Sequence, residues 1–273
     1  MNNEREKERP IGVFDSGVGG LTVLKAIREA LPGENLVYLG DTARLPYGTK
    51  SPASIERYAT QAAAKLQQQG IKLLVVACNT ASAVALEALR SSLAPLPVVG
   101  VVEPGAAAAV AARPGGRHLV LATEATVRLA AYRDAIMARD PGAQESEHAW
   151  EMLVALAEVG WDDGEIARAI VRRYLDEAGC ASPDTIILGC THFPLLRDTI
   201  QNVAARGVTL VDSASTTAEA VRQTLLRGNT RRVTDAMGTL RMLATDGATR
   251  FARVGGRFLG QELNAADVDI VDL

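Results

Sequence analysis

The sequence predicts an α/β protein with two domains, each built on a mostly parallel sheet. Short apolar runs alternate with amphipathic helical patterns, which is typical of consecutive βαβ units. The apolar runs are mostly continuous rather than alternating, as expected for parallel strands buried on both faces. One segment also occurs twice in similar form, as LLVVACNTAS at 73–82 and IILGCTHFPL at 186–195. This near-duplication indicates two halves of similar construction.

Eight strands are predicted, with helices between them. The helix LTVLKAIREAL (21–31) carries apolar side chains along one face. The helix after the second strand has Ser51 as N-cap, Pro52 at its first position and Gly70 as C-cap. The predicted strands are IGVF (11–14), NLVYLG (35–40), KLLVVA (72–77), VVGVV (98–102), HLVLA (118–122), TIILG (185–189), VTLVD (208–212) and LRMLAT (240–245).

The division into domains is predicted from breaks in these patterns. No low-complexity linker separates two parts of the chain. The best crossing points are a Pro-rich stretch at 94–105 and the region around 205–207. The predicted divisions are a disordered tail at 1–9, a first domain at 10–98 plus 207–273, and an inserted second domain at 99–206.

Composition narrows the function. The chain has 273 residues, a formal net charge of −3 and only 4% aromatic residues, so neither nucleic acid nor a membrane surface is its expected partner. The charged N-terminus MNNEREKER lacks the apolar region of a signal peptide. Three cysteines do not form a disulfide framework. A reducing cytoplasm, which keeps thiols free, is therefore the expected location.

A Gly-rich turn follows the first strand. Residues 11–22 read IGVFDSGVGGLT, a strand, an Asp-Ser pair, the turn and a helix start. The helix N-terminus offers free N–H groups to an anion. The glycine spacing does not match the GxGxxG fingerprint of a dinucleotide loop. A plain turn would not need Asp15 at the strand end, so a site role is favoured.

A second loop, LGDTARLPYGTKS at 39–51, follows the second strand. Loops at the carboxyl ends of parallel strands lie where open α/β sheets bind ligands. A purely structural loop explains this sequence equally well.

The cysteine segments carry the strongest signal. Cys78 and Cys190 each follow a predicted strand and precede a helix, where free N–H groups and the helix dipole stabilise a thiolate. A thiol needs such help to act as a base, because its usual pKa is about 8.5. A single buried cysteine is more often inert, but two in matched positions favour a pair of acid/base groups at one site. Cys180, at a helix exit, is interpreted as structural or incidental.

Other chemistries fit less well. The histidines and cysteines lack the clustering of a metal site. A thiol protease could pair a cysteine with His192, but a second matched cysteine would be superfluous. A pyridoxal-phosphate enzyme needs a Schiff-base lysine, and Lys72 is typical of a strand-edge surface residue. His118 and His148 belong to no motif.

These blocks resemble the glutamate racemases of the cofactor-independent aspartate/glutamate racemase superfamily. The resemblance extends over roughly 10–225. The matching blocks are IGVFDSGVGGLTVL, YLGDTARLPYG, VVACNTASA, VVGVVEPG and LGCTHFPLL.

The resemblance implies two flavodoxin-like domains related by pseudo-two-fold symmetry, with the active site in the cleft between them. It implies interconversion of L- and D-glutamate without a cofactor or metal. Cys78 would abstract the α-proton of D-glutamate and Cys190 that of L-glutamate. Asp15 and His192 would assist the two cysteines. The residues that would line the substrate pocket are Asp15, Ser16, Pro46, Tyr47, Gly48, Asn79, Thr80, Thr191, Thr123 and Thr126.

The chain departs from the family pattern in the second domain. A Cys-Pro-Leu…Pro-Leu-Val-Glu-Glu-Gly block appears here as HAWEMLVALAEVGW, at 148–161. Glu158 matches the first acidic residue, Val159 replaces the second, and Leu129 stands where a small polar residue is usual. Both cysteine motifs remain intact.

Two alternatives stay open. An aspartate racemase of the same superfamily would share the cysteine motifs. Some family members bind DNA gyrase as inhibitory partners, a role for which the charged tail is the only candidate here. The resemblance also implies D-glutamate supply for peptidoglycan, and hence for cell-wall biogenesis and cell shape, and it implies a homodimer.

Overall fold

The computed structural model describes residues 2–179 and 182–273, so the interpretation of Cys180 lies outside the described residues. The strands in these ranges are β1 (Ile11–Asp15), β2 (Leu36–Gly40), β3 (Leu73–Val76), β4 (Val98–Gly100), β5 (Arg117–Ala122), β6 (Gln144–Ala149), β7 (Thr185–Gly189), β8 (Thr209–Asp212), β9 (Leu240–Ala244) and β10 (Val268–Ile270).

The described helices lie between and around these strands. None of them combines the length and hydrophobicity needed to cross a membrane. The α-helices are α1 (Asn2–Glu8), α2 (Leu21–Ala30), α3 (Pro52–Gln67), α4 (Asn79–Leu93), α5 (Val102–Ala112), α6 (Glu124–Arg128), α7 (Ala131–Met137), α8 (Glu151–Val159), α9 (Gly164–Glu177), α10 (Arg197–Val203), α11 (Ser213–Arg227) and α12 (Ala248–Leu259). Short 3₁₀ helices lie at Thr42–Arg44, Tyr47–Thr49, Phe193–Leu196 and Ala265–Asp267.

The strands form two sheets, and each described strand pairing is parallel. One sheet has the order β10-β9-β2-β1-β3-β4 and the other has the order β6-β5-β7-β8. The predicted α/β class with mostly parallel sheets is confirmed. The arrangement β2-β1-β3-β4 recurs as β6-β5-β7-β8. Strands β3 and β7 are therefore equivalent, and the two cysteines of the near-duplicate segments come after them.

The strands that flank the site are buried at every position, namely β1, β2, β3 and β7. Continuous apolar sequence produces this burial because helices cover both faces of a parallel sheet. The predicted N-cap of α3 is present, since the Ser51 side chain accepts a hydrogen bond from the Ser54 amide at 3.3 Å. The predicted C-cap is wrong by two residues, because the helix ends at Gln67 and Gln68, not Gly70, is its C-cap.

Two strands are absent from the sequence prediction. Strand β6 reads QESEHA and is a partly exposed edge strand, so it lacks the apolar run by which the others were recognised. Strand β10 is a three-residue edge strand. The predicted strand at 98–102 ends earlier, because Val102 is already the first residue of α5.

Sheet membership also differs from the predicted domain limits. The predicted first segment of the first domain ends at 98, which is the first residue of β4. The whole of β4 pairs with β3 in the six-stranded sheet. The predicted return at 207 precedes β8, which pairs with β7 in the four-stranded sheet. By sheet membership, the chain returns to the first sheet only after α11.

The predicted disordered tail is corrected for residues 2–8, which form α1. Lys72, expected at the surface, is buried and lies beneath this helix. Its Nζ donates to the Lys7 carbonyl at 2.6 Å and to the Thr230 carbonyl at 3.0 Å, and it lies 2.5 Å from a carboxylate oxygen of Glu34. A buried ammonium needs such acceptors, and α1 supplies one of them.

Candidate active site

The functional residues meet at the carboxyl edges of the two sheets. A cavity of about 420 Å³ lies there, and both Cys78 and Cys190 line it. The described lining residues are Ser16, Leu45, Pro46, Tyr47, Gly48, Thr49, Cys78, Asn79, Thr80, Thr123, Glu151, Val154, Ala155, Glu158, Cys190, Thr191, His192 and Arg250.

Cys78 is the N-cap of α4. Its Sγ accepts a hydrogen bond from the Ala81 amide at 3.4 Å and lies 3.6 Å from the Ser16 hydroxyl. The sequence predicts that this helix N-terminus stabilises a thiolate. Instead, burial and, after it, the negative charge of Asp15 raise the pKa of Cys78 to about 12, outweighing the two hydrogen bonds. Cys78 therefore holds its proton near neutral pH.

Asp15 lies at the end of β1, behind the cavity wall rather than in it. The side chain is fully buried, and Oδ2 accepts a hydrogen bond from the Gly17 amide at 2.9 Å. Burial raises the pKa of Asp15, against the opposing effects of neighbouring amides and His192. Asp15 acts on Cys78 through its charge and is not one of the residues that line the cavity.

Cys190 follows β7 and has an imidazole beside it. Sγ lies 3.8 Å from Nδ1 of His192, and Nε2 of His192 lies 3.4 Å from Oε1 of Glu158. Burial opposes a charged imidazole, but hydrogen bonds to Cys190 and Glu158, together with the charges of Cys190 and Asp15, raise the pKa of His192 overall. A cation is thus maintained next to Cys190, whereas Cys78 has a carboxylate nearby.

Helix α8 supplies a wall that the sequence prediction missed. Glu151, Val154, Ala155 and Glu158 line the cavity at the spacing i, i+3, i+4, i+7, which is one face of an α-helix. This helical spacing is visible in the sequence, but it does not indicate that this face of α8 lines a cavity. Glu158 was noted only as a match to a family block.

Arg250, on α12, also lines the cavity without having been predicted, as do Leu45 and Thr49. It donates to Oε2 of Glu158 at 2.6 Å. Arg250 lies in no motif, so nothing in the sequence connects it to the cysteines. The ion pair between Arg250 of α12 and Glu158 of α8 brings it to the site.

Three threonine hydroxyls form a cluster beside the cavity. Thr80 Oγ1 lies 3.0 Å from Thr123 Oγ1 and 3.2 Å from Thr126 Oγ1, and the last two are 3.1 Å apart. Thr80 and Thr123 line the cavity, whereas Thr126 is fully buried behind them. Thr191 also lines the cavity, and its carbonyl accepts from the Thr22 hydroxyl at 3.0 Å.

The Pro-Tyr-Gly loop closes one side of the site. The Tyr47 hydroxyl donates to the buried carboxylate of Asp41, which Arg44 and Thr245 also contact. Gly48 lies against α6, where an added Cβ would come within 3.2 Å of Thr123. The loop is therefore held from below by Asp41, and a glycine at 48 permits its close approach.

Of the predicted site residues, the structure brings all but Asp15 and Thr126 to the cavity wall, and these two contact residues in it. Within the described parts of the chain, no group of three or more His, Cys, Asp or Glu side chains is placed to hold a metal ion.

Comparison with known proteins agrees with this geometry. Residues 11–221 match the family described as Asp/Glu/Hydantoin racemase. The chain belongs to this family. The resemblance found in the sequence is thereby confirmed.

Similar proteins match this chain over most of its length. A glutamate racemase of Geobacter metallireducens is 50% identical over 255 residues, which cover 93% of this chain and 94% of the relative. The crystal structure of a glutamate racemase isoform from Bacillus anthracis has a TM-score of 0.91 and 35% identity, covering 98% of both chains. A Francisella tularensis glutamate racemase, solved in complex with D-glutamate, has a TM-score of 0.89 and 33% identity, covering 97% of this chain and 98% of that one.

Proposed function

We propose that this chain interconverts L- and D-glutamate by exchanging the α-proton between Cys78 and Cys190. The observation that carries the proposal is that two buried cysteines, at the ends of equivalent strands, line one cavity. Racemisation needs a base for one face of the α-carbon and an acid for the other.

The surroundings of the two cysteines support one direction of proton transfer in this proposal. Cys78, with its raised pKa, is the thiol. In the proposed L-to-D direction Cys190 is the base, with Nδ1 of His192 lying 3.8 Å from its Sγ. The Cys190 thiolate takes the α-proton of L-glutamate, and the Cys78 thiol delivers its proton to the opposite face of the planar carbanion. One thiol and one thiolate remain in exchanged positions, and the reverse reaction starts from Cys78.

The carbanion is stabilised by donors near the α-carboxylate, where negative charge develops. Ser16, Asn79, Thr80 and Thr191 are the available donors at the wall. Arg250 adds a cation at the same cavity, which suits a substrate with a second carboxylate.

The proposed function also includes a cellular role for the product, a location and an oligomeric state. The product D-glutamate would supply peptidoglycan, and hence cell-wall biogenesis and cell shape, in the cytoplasm. The predicted homodimer is retained as part of the proposal. An aspartate racemase is the alternative substrate assignment, and gyrase binding is an alternative of another class.

The test is racemisation of L-glutamate in D₂O without added cofactor, following optical rotation and deuterium at Cα together. Loss of rotation with deuterium uptake is the expected result. Faster reaction with L-aspartate would reassign the substrate. Rotation loss without deuterium uptake would exclude proton exchange with a solvent-exchangeable group.

Cysteine variants test the two-base assignment. Cys78→Ala and Cys190→Ala should each abolish racemisation, since each removes one of the two proton carriers. Cys180→Ala is the matched control and should remain active. Near-full racemisation by either of the first two variants contradicts the mechanism.

A further inference from the structure

Tyr132 on α7 contacts Asn79 on α4. Tyr132 is fully buried, and its hydroxyl donates to Oδ1 of Asn79 at 2.7 Å. Asn79 is itself only 3% exposed, and its Nδ2 has no hydrogen-bond partner among the described residues. A buried amide N–H group without a partner is costly, and this one belongs to a residue that lines the cavity.

We propose that Tyr132 is a positioning residue that fixes the Asn79 amide so that its NH₂ group is presented to a substrate carboxylate. The inference rests on the proposed racemase function and extends it to a residue outside every motif of the sequence.

The Tyr132 ring is itself held in place. A Cβ at Gly105 would lie 3.2 Å from Cε1 of Tyr132, and a Cβ at Gly189 would lie 3.0 Å from Cε2. Gly105 lies inside α5, where glycine is among the poorest helix formers. The space that the Tyr132 ring needs is a physical reason for a glycine at position 105. With both edges confined, the hydroxyl has one direction in which to point.

The contacts of Tyr132 reach the neighbours of both cysteines. Gly189 immediately precedes Cys190, and Asn79 immediately follows Cys78. One rigid side chain therefore touches the backbone before one base and the side chain after the other.

The backbone before Tyr132 is unusual. Ala130 has φ 51° and ψ 28°, a left-handed conformation, directly before α7. An L-residue other than glycine adopts it at a cost, and such residues cluster at functional sites. Here the turn starts α7 at the point that brings Tyr132 beneath Asn79.

The direction of the hydrogen bond decides the chemistry. A donating Tyr132 hydroxyl occupies the Asn79 oxygen and leaves the NH₂ group, a donor suited to a carboxylate. The opposite amide orientation would leave an oxygen, which suits the substrate ammonium group.

The test measures KM and kcat for both glutamate enantiomers in Tyr132→Phe, Asn79→Ala and the double variant. Tyr132→Phe should raise KM about 3- to 10-fold, as for the loss of one hydrogen bond. Because the hydroxyl acts through Asn79, adding Tyr132→Phe to Asn79→Ala should change KM by less than about 2-fold. Tyr174→Phe is the control and should match the parent, because the hydroxyl it removes accepts from the Met152 amide at 3.4 Å and neither residue lines the cavity.

Additive effects in this cycle, or an unchanged KM in Tyr132→Phe, would overturn the proposal. Thermal unfolding of each variant shows whether a general loss of stability accounts for the change. Asn79→Asp tests the amide orientation without touching the tyrosine. It should raise KM by about 10-fold or more, because a carboxylate repels a carboxylate, and a KM equal to the parent's contradicts an NH₂ group facing the substrate.

The same series is followed by calorimetric titration with D-glutamate, which needs no turnover. Binding without racemisation by the parent protein contradicts the proposed function alone, and the Kd values then decide the role of Tyr132. Absence of binding by the parent contradicts both.

Discussion

His192 and Glu158 form a pair that joins the Cys190 segment to helix α8. Nε2 of His192 lies 3.4 Å from Oε1 of Glu158, while Oε2 of the same carboxylate accepts from Arg250 at 2.6 Å. Glu158 thus divides its charge between the imidazole and a guanidinium. The imidazole in turn lies beside Cys190, packs edge-to-face with the Phe258 ring, and is affected by the charge of Asp15. The charge on His192 depends on this carboxylate.

Replacing Glu158 with glutamine should lower the pKa of His192 from its raised position, because a neutral amide no longer favours the imidazolium. The cation beside Cys190 is then lost at a lower pH. We expect kcat/KM for L-glutamate to fall about 10- to 100-fold and its alkaline limb to move to lower pH. The measurement is the pH profile of kcat/KM in both directions. Glu165→Gln, at an exposed position of α9, is the control, and an unmoved alkaline limb in Glu158→Gln contradicts the role.

Alkylation should report the raised pKa of Cys78. Because burial and Asp15 hold this pKa at about 12, the thiolate fraction grows about tenfold per pH unit well beyond the range of an ordinary thiol. Iodoacetamide labelling of the Cys78 peptide, followed by mass spectrometry, should keep accelerating up to pH 10. Asp15→Asn should label faster at a given pH, since a negative charge has been removed. A labelling rate that levels off by pH 9 in the parent protein would refute the assignment.

The buried pair of Lys72 and Glu34 should be a point of high sensitivity. Both side chains are almost fully buried, so Lys72→Met alone leaves an unpaired carboxylate and should cost about 3–5 kcal/mol of unfolding free energy. Lys72→Met with Glu34→Leu should recover much of that loss. Urea unfolding measures each variant. Arg222→Met, at an exposed ion pair with Glu219, should leave the midpoint unchanged, and equal losses in the single and double variants would argue against a buried charge as the cause.

Glu147 on β6 should make stability depend on pH. Burial raises its pKa to about 7 from 4.5. A carboxyl group with a raised folded-state pKa favours folding below its unfolded pKa, and this contribution is lost as the pH rises through 7. Glu147→Gln should therefore stabilise the protein at pH 8 by about 1 kcal/mol, a value reduced for partial exposure, and have little effect at pH 4. Urea midpoints at the two pH values test this, and equal effects at both would contradict it.

Strands and site residues were predicted correctly where a short stretch of sequence was enough to identify them. Strands β1, β3 and β7 are continuous apolar runs, and the cysteines that follow them were found by the duplication of their context. Strand β6 was missed because an edge strand with one partner needs no apolar run. Lys72 was misplaced because its burial depends on Glu34 and on a carbonyl of α1, which are distant in sequence.

The class of fold, the positions of the two cysteines and the motif residues beside them could be predicted from local sequence, because each depends on neighbours a few positions away. The raised pKa of Cys78, the wall formed by α8 and the roles open to Glu158, Arg250 and Tyr132 follow from tertiary packing. Burial and charge act through space, and these side chains reach the cysteines from separate elements whose packing no local pattern records.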